Sequence, residues 1–218
     1  MLDRHERRNA LDRASIEALV EGVARLEQDD AVRAIVLAAE GSVFCGGADL
    51  KELAQGSGQE GIRVYASAIE AIMGARKPVI ARVQGPAAGG GVGLVSACHL
   101  ACGTKAARLL TPEVKSGLYP LMVHALLEGT IGRKRAFEMD LVGRELSAHE
   151  ARDMGLLNEV VDDRDLDATV GRWIETLSSL PPATMAHALA ALHRTRHQDV
   201  LSRVLELQNE LNHIADSR

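Results

Sequence analysis

Two glycine-framed turns and one isolated glutamate are the residues of this chain whose types and spacing could do chemistry. The first turn, Ser42-Val43-Phe44-Cys45-Gly46-Gly47-Ala48-Asp49-Leu50-Lys51-Glu52, leads out of an apolar run. Asp49 reads there as a helix N-cap, with Glu52 at the third helical position of a capping box. N–H groups just before such a helix are free to bind something, and Gly46 and Gly47 remove side chains where a ligand or another stretch of backbone comes close. The second turn, Gly85-Pro86-Ala87-Ala88-Gly89-Gly90-Gly91-Val92-Gly93-Leu94, repeats the device. A helix opening on three glycines is disfavoured by roughly 1 kcal/mol for each glycine interior to it. Bare helix N-termini offer N–H donors at the positive end of a dipole, which suits a phosphate, a carboxylate or a developing oxyanion. No G-x-x-x-x-G-K-[ST] occurs, and Gly89 to Leu94 lacks the third glycine of G-x-G-x-x-G, so nucleotide loops are disfavoured. Either turn alone is also explained by backbone geometry.

Glu113, in Thr111-Pro112-Glu113, is the one carboxylate between Ala106 and Leu127. Desolvation there would raise its pKa and suit it to general-base work. An isolated glutamate can equally cap a turn in solvent, and its place relative to the glycine turns decides between the two.

The elements that must position these residues alternate. Ile16, Leu19, Val20, Val23 and Leu26 fall on one face of a helix that follows Asp12. Val32 to Ala39 reads as a strand buried on both faces, Ile62 to Met73 as a helix, and Val79 to Val83 as a second buried strand. Short strands are expected around His99 to Cys102 and Ala107 to Leu110, with a helix after Pro120. Ser147-Ala148-His149-Glu150 matches a capping box, with Gly155 at the helix stop. Glu159 to Val161 reads as one more strand, followed by helices broken at Pro181-Pro182. The pattern predicts an α/β fold with parallel pairing.

The chain has 218 residues, a formal charge of −5 and only five aromatic residues, Trp173, Tyr65, Tyr119, Phe44 and Phe137. That balance argues against a nucleic-acid face. No apolar stretch reaches the roughly 20 residues of a membrane span. Three cysteines, with no secretory segment at the start, argue against a disulfide framework and predict a cytoplasmic protein. Cys98-His99-x-x-Cys102 falls short of a zinc set, so no metal is expected and both cysteines read as packing residues. Cys45 lacks a histidine partner in sequence and also reads as packing. His124 and Glu128, one helical turn apart, either shape a pocket or face solvent, with solvent favoured.

In this order the segments resemble the crotonase superfamily, the enoyl-CoA hydratase/isomerase family. The likeness rests on Arg8-Asn9-Ala10-Leu11, Phe44 to Lys51, Gly85 to Gly93, Pro112-Glu113 with Gly117-Leu118-Tyr119-Pro120, and Gly143 with Ser147 to Ala151 and Gly155 to Asn158. It implies a spiral of ββα units followed by C-terminal helices, divided into a 1–164 core and a 165–218 helical segment for trimerisation and CoA cover, assembled as a homotrimer or hexamer. It also implies an acyl-CoA substrate, no separate cofactor, an oxyanion hole from the amides of Ala48 and Gly90, and Glu113 as acid/base. Arg8, Ala10, Ala48, Asp49, Leu50, Lys51, Gly89, Gly90 and Pro112 would contact substrate or CoA, and Gln55 to Tyr65 with Tyr119 to Leu126 would wall the acyl pocket. Hydratases of the family place a glutamate where this chain has Gly93, so the resemblance leaves three readings: hydratase/isomerase chemistry, a single-base 3-enoyl/2-enoyl isomerase, or a catalytically silent acyl-CoA binder. RNA binding, found in some relatives, fits poorly with the acidic charge. Relatives also carry a hairpin before Arg8 and a further helical segment after Arg218, so both termini read as shortened.

Overall fold

The structure is a computed structural model that describes residues 1–49, 58–192 and 202. Helix α1 (Arg13–Gln28) starts where expected: the Asp12 carboxylate accepts from the Ser15 amide at 2.7 Å. Ile16 and Val23 are buried from its apolar stripe, and Leu19, Val20 and Leu26 pack beside them. Each large apolar side chain fully buried in this way contributes about 1.5–3 kcal/mol. Helix α2 (Gly58–Met73) lies against α1.

Four parallel strands, β1 (Ile35–Leu37), β2 (Val79–Val83), β4 (Leu100–Thr104) and β7 (Glu159–Val161), form a sheet in the order β1-β2-β4-β7. Their near-continuous apolar runs follow from cover on both faces. Ile35, Leu37, Val79, Ala81 and Val83 point into the main core, while Val36, Ile80, Leu100 and Cys102 point the other way. That second face is covered by α7 (Leu166–Ser179) through Leu166, Val170 and Trp173, whose indole N–H donates to Glu159 at 3.1 Å. Residues beyond 165 thus begin with a helix seated on the sheet, and α8 (Pro182–Leu192) follows Pro181.

A smaller sheet joins β3 (Ala87–Ala88), β5 (Arg108–Leu110) and β6 (Leu146–Ser147). Helix α3 (Gly90–Ala97) contacts β2 and β3; a 3-10 turn (Pro112–Ser116), α4 (Leu121–Ile131), which packs on α3, and α5 (Arg133–Phe137), which packs on α4, lie further along the chain. Helix α5 passes into a π turn, Glu138–Val142, ended by Gly143 at φ 76°. The capping box at Ser147 forms both of its bonds to Glu150 and opens α6 (Ala148–Met154), which Gly155 stops at φ 94°.

The strand expected over Val32 to Ala39 shrinks to three residues. The Val32 amide turns back onto the Asp29 carbonyl, and Ala39 pairs with Leu2 only as an isolated bridge. The helix expected after Asp49, with Glu52 in its capping box, lies outside the described residues, as do Leu50 and Lys51. No helix among the described residues is long and apolar enough to cross a membrane, and no group of three metal-ligating side chains occurs among them.

Candidate active site

The two glycine turns are docked on one another by main chain. The Phe44 amide donates to the Pro86 carbonyl at 2.9 Å, the Ala88 amide to the Cys45 carbonyl at 2.9 Å, and Cys45 pairs with Ala87 as a parallel bridge. This close approach explains the glycines. A Cβ on Gly91 would stand 2.6 Å from the Cys45 carbonyl oxygen, and Gly47 (φ 95°) and Gly89 (φ 49°) adopt left-handed backbone that side chains disfavour.

Docking brings the Ala48 and Gly90 nitrogens together. A Cβ built on Gly90 would lie 3.6 Å from the Ala48 nitrogen, and one on Gly47 3.6 Å from the Gly90 nitrogen. The neighbouring amides are spent on backbone: Gly46 on Arg8, Asp49 on Leu11, Gly89 on Leu110. Neither the Ala48 nor the Gly90 amide has a backbone acceptor among the described residues. Gly90 is the first residue of α3, where an N–H has no partner within the helix. Two such donors side by side can hold one oxygen that carries negative charge.

Glu113 stands beside them. A Cβ on Gly89 would collide with its Oε1, so the carboxylate rests directly against the glycine turn. It sits on the 3-10 turn that begins at Pro112, half-buried, with Oε2 enclosed and without a hydrogen bond. Burial raises its pKa, opposed by its backbone hydrogen bond, and the Asp140 carboxylate raises it further. Glu113 therefore lies against the second glycine turn rather than capping a turn in solvent.

Position 93 is occupied from another element. A Cβ on Gly93 would collide with the hydroxyl of Tyr65, which reaches across from α2 and donates to the Gly90 carbonyl at 2.8 Å. Burial, then nearby Cys45 and Glu113, pushes the Tyr65 phenol well above its usual range, so it remains a neutral donor. The Cys45 thiol, buried beneath the first turn, is pushed up to about 12 by desolvation, which fits a packing role.

His124 corrects the expectation of a solvent-facing residue. It is largely buried, its Nδ1 lying 2.6 Å from Asp140 Oδ2 and 3.0 Å from the Tyr119 hydroxyl. Asp140, on the π turn, is missing from any reading confined to residues 106–127. It carries no local motif. Tyr65 was legible merely as a pocket-wall residue.

The remaining expected contacts are spread around this centre. Arg8 is exposed, with its carbonyl holding the Gly46 amide at 2.8 Å, while the Ala10 carbonyl accepts from Arg4 at 2.6 Å. Asp49 lies 3.9 Å from Arg4, which also pairs with Asp12 at 2.8 Å. Asn9 is a structural clasp: its side-chain amide donates to the Glu40 and Val43 carbonyls at 2.8 and 2.7 Å, and its oxygen accepts from the Arg4 amide. Cys98 packs against the main core and Cys102, on β4, into the second cluster, as expected of small apolar side chains.

This α/β architecture is that of crotonase-fold proteins. Solved structures agree: an enoyl-CoA hydratase of Mycobacterium smegmatis superposes with a TM-score of 0.83 at 33% identity, covering 94% of this chain and 82% of that one. The sequence profile described as Enoyl-CoA hydratase/isomerase matches residues 1–217, and the chain belongs to that family. Among curated relatives, the Mus musculus enoyl-CoA hydratase domain-containing protein 3, mitochondrial, is 32% identical over 204 residues, covering 92% of this chain and 68% of the relative. The 4-chlorobenzoyl coenzyme A dehalogenase-2 of an Arthrobacter species is 34% identical over 211 residues, covering 93% and 75%.

Proposed function

We propose that this protein binds an acyl-CoA thioester, stabilises its enolate between the Ala48 and Gly90 amides, and moves a proton with Glu113. The observation that carries this reading is the convergence of two uncommitted N–H donors with a desolvated carboxylate on the adjoining turn. Donors aimed at the thioester oxygen hold the charge of the enolate more strongly than the ground-state carbonyl, so they lower the barrier. Each donor of this kind is worth on the order of 3 kcal/mol. Glu113 with a raised pKa is a base that can take a carbon-bound proton and a sufficiently good acid to give it back.

Within the family, Gly93 and Tyr65 favour proton relocation over hydration. The volume that a carboxylate at position 93 would need holds a phenol already donating to Gly90. Incubation with 2-enoyl- and 3-enoyl-CoA thioesters in deuterated water should give shifted, deuterium-labelled product rather than hydrated product. Glu113→Gln should lower kcat by about 10²–10⁴-fold while CoA-thioester binding persists. Full turnover in that variant would sink the assignment, and thioester binding without turnover in the wild type would mark a silent binder.

A further inference from the structure

Position 93 brings no carboxylate to the site, yet the fold delivers one from elsewhere. Asp140 lies on the π turn Glu138–Val142 with 0% exposure, and that turn packs on the 3-10 turn bearing Glu113. π turns disturb the regular helical hydrogen-bond ladder and recur at functional sites. On and beside the two facing turns, Asp140 Oδ1, Thr111 Oγ1 and Glu113 Oε2 are all buried, the Thr111 hydroxyl acting on Asp140 and Glu113 Oε2 having no hydrogen bond. Buried polar oxygens need partners, and three of them gathered here mark a polar locus rather than packing. Asp140 Oδ2, by contrast, is gripped by His124 at 2.6 Å.

We propose that Asp140, held by His124, is the second carboxylate of the site and a positioning residue that governs how tightly Glu113 holds its proton. With the proton on Nδ1, His124 donates to Asp140 and favours its anion. Burial is the largest effect and leaves the Asp140 carboxyl above its ordinary range, with the His124 and Thr111 hydroxyl contacts pulling it back down. The Asp140 charge in turn favours protonated Glu113. A firmer hold on the proton suits Glu113 both to take one from a substrate carbon and to deliver one to another. Among the described residues, the other ionisable groups around the two turns are Tyr65 from α2, Lys115 on the 3-10 turn, Tyr119, Glu128 on α4 and Glu138. Lys115 is exposed, and Glu138 is paired with Arg144 at 2.8 Å.

The inference rests on the enolate reading, so its test uses the free protein. Glutamate side chains are labelled with 13C, the Glu113 carboxyl is assigned by its loss in Glu113→Gln, and its titration is followed by NMR. In Asp140→Asn the Glu113 titration should move to lower pH, and Asp140→Glu should return it toward wild type. His124→Phe removes a donor that favours the Asp140 anion and should move Glu113 the same way, which serves if Asp140→Asn fails to fold. A Glu113 titration coincident with wild type in a folded Asp140→Asn or His124→Phe protein overturns the inference. If Glu113 moves as expected but no thioester exchanges a proton, the proposed function falls and the coupling stands. Turnover without any movement means the reverse.

Discussion

The contact between Gly93 and Tyr65 makes a quantitative prediction. Adding one methyl group at position 93 places it against the Tyr65 hydroxyl, whereas the next neighbours, the Tyr65 ring carbon Cζ and Val123 Cγ2, are 3.3 and 3.4 Å away and need little adjustment. Gly93→Ala should therefore destabilise the wild type by about 1–3 kcal/mol through overpacking. Tyr65→Phe removes the offending oxygen together with its 2.8 Å bond to the Gly90 carbonyl, at a loss of about 0.5–1.5 kcal/mol. In the Tyr65→Phe background the added methyl should be harmless. It should even stabilise by up to roughly 1 kcal/mol, because alanine suits a helix interior better than glycine. The double variant is then more stable than the sum of the singles by about 1–4 kcal/mol. Urea unfolding of the four proteins, followed by circular dichroism, measures that coupling. Additivity within about 0.5 kcal/mol would refute the claim that the phenol fills the volume above position 93. For the same reason Gly93→Glu alone should not create a hydratase.

Two further outcomes concern stability. Because burial raises Glu113 above its unfolded value, the folded protein binds more protons than the unfolded chain between the two pKa values, so that part of the stability is present at low pH and lost as pH rises through the folded pKa. Glu113→Gln should accordingly unfold at a higher temperature than wild type near neutral pH, with the gap closing below the ordinary glutamate range; a pH-independent difference in melting temperature would contradict this. Asn9→Ala removes two side-chain bonds to carbonyls at a residue with φ 52°, and should lower stability by about 2–3 kcal/mol, read by the same unfolding assay.

Much of the framework was legible because its signals are local. Asp12, the Ser147 capping box, Gly155 and the Val79–Val83 run each specify an element through contacts within a few residues. The glycine turns were legible as donor-bearing backbone, but the sequence could not distinguish close approach by a ligand from close approach by chain. The structure shows that Gly46, Gly47 and Gly91 answer to neighbouring backbone, while Gly89 makes room for Glu113. Asp140 and Tyr65 escaped because their roles depend on elements that meet only in the folded chain, a π turn on a 3-10 turn and α2 across α3. His124 shares a helix with buried Val123 and Leu127, and the expectation of solvent failed because its partner lies sixteen residues away. The overlong Val32–Ala39 strand has a different cause, since apolar continuity reports burial and not pairing.

Interlocking of the two turns also bears on how such a site can change over generations of mutation. The separation of the Ala48 and Gly90 amides is set by peptide-to-peptide bonds from Phe44 to Pro86 and from Ala88 to Cys45. Ordinary side-chain replacement in the surrounding walls leaves those bonds in place. Selection can then revise pocket shape and proton placement, through residues such as Tyr65, His124 and Asp140, while the donor pair is inherited intact.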